Sequence, residues 1–255
     1  MYISPIAVFF GFVLIWQFGL QILNVPVFLI PKPTDIFQAA VENLGNLTQS
    51  ALQTVTESLV GFVMSFVGGV LGAVLMASSK ILERSLYPYA IILQTIPIVA
   101  IAPIIVIWFG AGLNAIVIIA FIIGFFPMIS NTLIGLNSVD HNMLNLFRLY
   151  NASKWQTMWK LRLPAALPYM MAGLKISCTL SVVGAIVGEY IAGIGGGSGG
   201  LGYAITVAAT RLQTAYLFAC GLAASLLGIV LFLVIQLISK WILSSWHESE
   251  MSVEN

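Results

Sequence analysis

The chain has 255 residues, of which 60% are hydrophobic and 7% charged, with a formal net charge of +1 and a mean hydropathy of +1.02. A soluble domain of this length needs a charged exterior that so few ionic residues cannot supply, so the surface must face lipid. A net charge this close to zero also provides no field to attract nucleic acid or an acidic substrate.

Each span needs about 20 apolar residues to cross roughly 30 Å of hydrocarbon. Apolar runs at 3–24, 57–79, 86–109, 112–136, 166–192 and 215–243 therefore predict about six transmembrane helices. The expected fold is an all-α integral membrane protein, a single transmembrane domain over 1–255 with its core bundle at 57–243. The first run lacks a basic flank and a small-residue cleavage site, which makes it a retained span rather than a signal peptide. After it, Pro31 and Pro33 disfavour helix at the residues before them. Thr34 is then placed to N-cap a helix carrying Ile36, Phe37 and Ala40 on one side. That outer piece either meets a delivery protein or packs on the bundle. In the second run Gly61, Gly68, Gly69 and Gly72 permit close helix approach, within one subunit or between two. The third run contains Pro97 and Pro103, each of which removes a backbone donor. An irregular span is expected there, either an ordinary packed kink or a break beside a water-lined pathway.

Basic residues in short loops are retained on the cytoplasmic side. With the N-terminus inside, the inner segments hold Lys80, Arg84, Arg148, Lys154, Lys160, Arg162 and Lys240, whereas the outer loops hold only Lys32 and Arg211. Both termini are expected in the cytoplasm, and so is the long polar segment between the fourth and fifth runs, at 140–168. Its pattern predicts two short helices joined at Asn151, a residue that tolerates a left-handed cap. Ser153 and Gln156 have the spacing of a capping box that starts the second helix. Leu144, Phe147, Leu149, Tyr150, Trp155, Met158 and Trp159 place large apolar groups among cations. Such a patch either docks a protein partner or packs on the chain's own helix ends.

The run from Asn145 through Lys175, NLFRLYNASKW followed by LRLPAALPYMMAGLK, resembles the EAA loop of the permease subunits of ABC importers. Leu29 to Phe37, Gln94 to Gly112, Gly124 to Leu136, Gly188 to Gly193 and Gly200 to Ile205 are similar to the subfamily that serves nitrate, sulfonate, taurine and thiamine-precursor importers. The resemblance implies a type I importer permease whose loop is a coupling hairpin seated in a cleft of a cytosolic ATPase. It implies a second permease copy, an extracytoplasmic binding protein and the cell inner membrane as surroundings. Carried over by position, the coupling residues are Asn145, Phe147, Arg148, Asn151, Ala152, Ser153, Trp155 and Pro164. The family's Glu falls on Asn145, its two Ala on Leu146 and Phe147, and its Gly on Asn151, all departures, whereas Arg148, Ala152, Ser153, Leu163 and Pro164 agree.

No G-x-x-x-x-G-K-[ST] loop is present, so ATP must be hydrolysed by another chain. The formal G-x-G-x-x-G at Gly195, Gly197 and Gly200 joins two spans rather than a strand to a helix, and reads as a flexible outer turn. Cys178 and Cys220 lack metal-ligand or disulfide spacing, and His141 and His247 lie outside the spans. No catalytic group, cofactor or metal is therefore expected. Glu189 is the acid set well inside an apolar run, expensive enough to need a partner or water. It is a translocation-pathway candidate, or else a carboxyl near the outer interface bonded to loop backbone. Gln94, Thr95, Asn131 and Ser181 are further pathway candidates or interhelical hydrogen-bonders. The rival classes are a secondary transporter, which would carry paired interrupted helices, and a structural membrane subunit.

Overall fold

A computed structural model describes residues 3–192 and 199–244 of the chain; among them the regular structure is helical throughout. The first apolar run forms α1 (Ile3–Ile22) and the outer piece forms α2 (Pro33–Glu42). Thr34 does not cap α2: the cap is Lys32, whose amide donates to Asp35 Oδ2 at 3.1 Å. Pro33, with its preset φ and no amide to satisfy, takes the first helical position instead. Thr34 is drawn to α1, where its amide and hydroxyl bond the two polar ends of Gln17 at 3.2 Å each. Ile36 is buried while Phe37 is exposed.

The second run is longer than its apolar pattern suggests. α3 (Leu44–Ala77) is one helix of 34 residues, about 50 Å long at 1.5 Å per residue, longer than the roughly 30 Å of hydrocarbon requires. The third run breaks, as its prolines predict, into α4 (Lys80–Thr95) and α5 (Ile98–Phe109), which meet at 98°. Pro97 caps α5, whereas Pro103 is absorbed inside it. α6 (Leu113–Asn137), α9 (Leu163–Ala192) and α11 (Thr214–Leu243) complete the long helices. Among the described residues four helices are long and apolar enough to cross, or five with the bent pair counted as one, against the six expected; Ala7–Ile22 of α1 is a shorter apolar helix.

The centre of the molecule is the packing of α6 against α9 and of α3 against α6. Lipid tails are as apolar as leucine, so membrane helices are held by close contact rather than by escape from water. Ala120 on α6 is fully buried, and a Cβ at Gly61 on α3 would lie 2.6 Å from its Cβ; one at Gly184 on α9 would lie 2.7 Å from its Cα. Gly68, Gly69 and Gly72 face Phe125, Met128 and Ile129 of α6. The glycine stripe of the second run is thus spent within one subunit. Hydroxyls reinforce the contact: Ser65 donates to Phe121 O at 2.8 Å and Ser181 to Ala120 O at 3.3 Å.

Gly61→Leu forces overpacking at Ala120, which costs about 1–3 kcal/mol and lowers the apparent melting temperature in detergent by about 2–10 °C. Gly221→Leu, where a new side chain meets open space, leaves it unchanged. Equal shifts in the two variants would contradict the packing centre.

Candidate coupling site and buried polar cluster

The polar segment folds largely as its residues predict. Asp140 Oδ1 accepts from the Asn142 amide at 2.8 Å and caps α7 (His141–Leu149). Asn151 then turns the chain with φ +52°, in the left-handed region that Asn tolerates better than β-branched residues. The capping box is present in both directions: the Ser153 amide donates to Gln156 Oε1 at 2.8 Å, and the Gln156 amide to Ser153 Oγ at 3.2 Å.

The second helix departs from the expected hairpin. α8 (Lys154–Thr157) does not end in a turn but passes through a π-helical turn, Met158–Arg162, directly into α9, making one helical column of 39 residues from Lys154 to Ala192. Pro164 and Pro168 lie in its early turns, and a proline ring clashes with the carbonyl four residues earlier in α geometry. The wider π register before Pro164, closed by the Leu163 amide on Met158 O, relieves that crowding at Pro164.

Two contacts fix the segment to the packing centre. Met158 is buried in the cluster formed by Met76, Ala77, Leu133, Leu136 and Leu243. Arg162 Nη1 donates to Ala77 O at 3.2 Å, supplying a partner for a terminal carbonyl of α3. Sequence reading missed Arg162, which looked like one cation among several, because the carbonyl it meets lies 85 residues away in the chain. Beyond this anchor the surface is apolar and open: Leu149 and Tyr150 are each 81% exposed, Trp155 69% and Trp159 64%. These rings therefore do not pack on the chain's own helix ends. Asn145, Arg148, Asn151 and Ser153 are exposed with them, while Phe147, Ala152 and Pro164 are half-buried.

The pathway candidates do not form one site. Gln94 and Thr95 are exposed at the α4–α5 break, where Thr95 Oγ1 donates to Ile92 O at 2.7 Å. Asn131 is half-buried and its amide donates to Pro127 O at 2.8 Å, satisfying a carbonyl in the helix. Ser181 is buried between α6 and α9. Glu189 is also buried, 1% exposed, and its carboxylate caps α10 (Leu201–Thr210): Oε2 accepts from the Gly202 amide at 2.6 Å and Oε1 from Thr54 Oγ1 at 2.6 Å. A Cβ on Gly200 would overlap this carboxylate, so the close approach requires glycine. The proposed flexible turn at 193–198 lies outside the described residues, as does His247.

Glu57 on α3 is a second fully buried acid, 1% exposed, beside Glu189. Its position at the first residue of the expected second span hid it. Gln53 and Thr54 lie four and three residues before Glu57 and so share its face, but only a helix already running from Leu44 makes that face continuous. At the same outer end the Thr214 hydroxyl donates to Phe28 O at 2.7 Å. An open cavity of about 480 Å³ lies there between α2 and the turn before α11, lined by Phe28, Glu42 and Tyr216 among others.

This fold is similar to that of a solved chain of the MetNI methionine ABC transporter in an inward-facing conformation, with a TM-score of 0.65 at 20% identity, covering 80% of this chain and 97% of that one. In sequence the chain is 32% identical over 183 residues to the formylaminopyrimidine transport permease protein ThiX of Halalkalibacterium halodurans, covering 71% of this chain and 73% of the relative. It is 31% identical over 172 residues to the riboflavin transport system permease protein RibX of Chloroflexus aurantiacus, covering 66% and 64%. A family model described as binding-protein-dependent transport system inner membrane component matches residues 65–245. That match takes in α6, α9, the anchored coupling segment and most of α11, and the chain belongs to this family of multi-pass ABC importer permeases, whose members are transport subunits and not themselves enzymes.

Proposed function

We propose that this chain is the pathway-forming subunit of an importer for a small nitrogen heteroaromatic solute, working as a pair of identical copies with two cytosolic ATPases. An extracytoplasmic binding protein delivers the solute to the end that carries α2. The observation that carries the coupling reading is the exposed apolar surface of Leu149, Tyr150, Trp155 and Trp159, held on the packing centre by Met158 and the Arg162–Ala77 contact. Aromatic groups flanked by Arg148 are the residue types that anchor protein interfaces. The names of ThiX and RibX support a heteroaromatic cargo over an inorganic anion.

The cations support the orientation. The contacts of Arg162 with Ala77 and of Asn137 with Glu83, and the packing of Leu243 beside Met158, gather the α3–α4 turn, the coupling segment and the end of α11 at one end of the bundle. That end bears the excess of Lys and Arg, which supports a cytoplasmic side there with both termini inside. Closure of the ATPases would push the segment, and the column from Lys154 to Ala192 would transmit the displacement as a rigid body to the outer end, where access alternates. Gln94 and Thr95, polar and exposed where a span is broken, suit a face toward the pathway or the second copy rather than lipid. Asn131 borders the same route on α6. Ser181 and Glu189 act instead by holding helices together. Asn145 stands where the family has an acid, so docking leans on the aromatic groups and Arg148.

In the complex with its ATPase reconstituted in vesicles, ATP-dependent uptake of labelled formylaminopyrimidine or riboflavin should exceed that of nitrate or taurine. The reverse order would replace the cargo assignment while leaving the coupling reading intact. Arg148→Glu with Trp155→Ala removes an attractive charge and an exposed aromatic anchor, and co-purification of the ATPase should fall at least tenfold, on the order of one hot-spot contact. Undiminished recovery of the ATPase would refute docking at this surface. Asn151→Gly keeps the positive φ and should retain uptake, whereas Asn151→Val, with strain of about 1–2 kcal/mol, should reduce ATP-driven uptake several-fold; equal rates for the two would show that the turn shape is immaterial.

A further inference from the structure

We propose that α2 is an interfacial helix whose exposed apolar side, Phe37 and Val41 with Leu44 after it, lies among phospholipid acyl chains at the end of the bundle opposite the coupling segment. The helix has three unlike sides. Ile36 is buried with Ala39 and Asn43 half-buried near it, and here α2 packs against α11. Phe37 and Val41, one turn apart and so on a common side, are 72% and 56% exposed, and Leu44, beyond the break at Asn43, is 57% exposed. Gln38 and Glu42 are exposed on a third side, where Gln38 Nε2 donates to Glu42 Oε1 at 2.8 Å. A helix packed on one side, apolar on a second and polar on a third fits a border between hydrocarbon and water. Wholly in water it would leave large apolar groups uncovered; wholly in hydrocarbon it would strand the Glu42 carboxylate.

What covers the apolar side follows from its level and its chemistry. Thr34, in the first turn of α2, is bonded through its amide and hydroxyl to Gln17 of α1. Phe9, Phe12, Ile15 and Phe18 along α1 are exposed, as on a helix bounded by lipid. At its other end, Ala39, Glu42 and Asn43 of α2 and its cap share the open cavity with Thr214 and Tyr216 in the first turn of α11. Phe218, one turn further into α11, meets the ring of Trp16 on α1 at 6.1 Å. α2 therefore lies level with the outermost turns of two apolar helices, where Trp16 and Tyr216 are the ring types that collect at a membrane–water border. The leg that leads into α2 extends the same apolar surface, with Phe28 and Leu29 exposed. α2 contains no Lys or Arg and two acids, Asp35 and Glu42, so apolar area rather than attraction to anionic headgroups holds it to the bilayer. A protein arriving through water meets Gln38 and Glu42, and leaves Phe37 and Val41 to lipid.

Nitroxide labels at Phe37→Cys, Gln38→Cys, Val41→Cys and Glu42→Cys, each in the full-length chain in phosphatidylcholine vesicles, test this. Cys178 and Cys220 are buried, and the unsubstituted chain supplies the background. The ratio of relaxation by molecular oxygen to relaxation by a water-soluble nickel chelate should be several-fold higher for Phe37→Cys and Val41→Cys than for Gln38→Cys and Glu42→Cys. That ratio should place the first two labels about 5–10 Å inside the headgroup–acyl boundary. Adding phosphatidylglycerol should leave the pattern unchanged. In the unsubstituted chain, phosphatidylcholine with a diazirine high on its acyl chain should cross-link to Phe37 or Val41 and not to Gln38 or Glu42. Equal access of the nickel chelate to all four labels would put the whole exposed surface in water and overturn the proposal. Shielding of Phe37→Cys and Val41→Cys from both reagents, the mark of a protein cover such as a second copy, would overturn it too. So would a pattern seen only with phosphatidylglycerol, or the lack of any cross-link in α2, which decides the matter even where a label disturbs the chain.

Discussion

The contact on which everything else rests is the approach of α3 and α9 to Ala120 of α6, made possible by Gly61 and Gly184. In a membrane the hydrophobic effect does not draw helices together, so small residues that let backbones touch, with hydroxyls such as Ser65 and Ser181 bridging to carbonyls, take its place. A side chain at either glycine would move a helix by the width of a methyl group. Because α9 is continuous with α8 through the π-turn, a shift at Ala120 would also be a shift of the coupling surface.

That continuity gives the cytosolic segment its mechanical meaning. A loop hung between two spans would absorb a push; a column from Lys154 to Ala192 with Met158 buried in the core and Arg162 on the end of α3 passes it on. Coupling over this distance requires stiff elements with discrete arrangements, and the end opposite the coupling surface has a candidate for the second arrangement. There α10 is tied to α3 and α9 by Thr54 and Glu189, beside the apolar cluster around Leu201.

The parts of this arrangement governed by neighbouring residues were legible in the sequence. Asn151 with Ser153 and Gln156 gave the turn and its caps, and Pro97 gave the broken span, because turn and cap chemistry acts over three or four residues. The parts governed by distant contacts were not. The length of α3 exceeds its apolar run because polar Asn43–Glu57 surface packs on α2, α10 and α11 and needs no lipid. Thr34 gave up its capping role to Gln17, a partner seventeen residues away. Glu57 gained its significance only once α3 and α9 were side by side. The π-turn was hidden because the two-helix pattern at 140–168 gave no sign that the second helix runs on into the fifth span.

The central claim is that the coupling surface and the α3–α6–α9 centre move as one body. Spin labels at Leu149 and Leu71, both exposed, placed in one permease copy of the reconstituted complex, report on it directly. The account predicts an unchanged distance between them in nucleotide-free and ATP-bound states, while the distance from Leu149 to the second copy changes. A change between Leu149 and Leu71 with the inter-copy distance constant would contradict it.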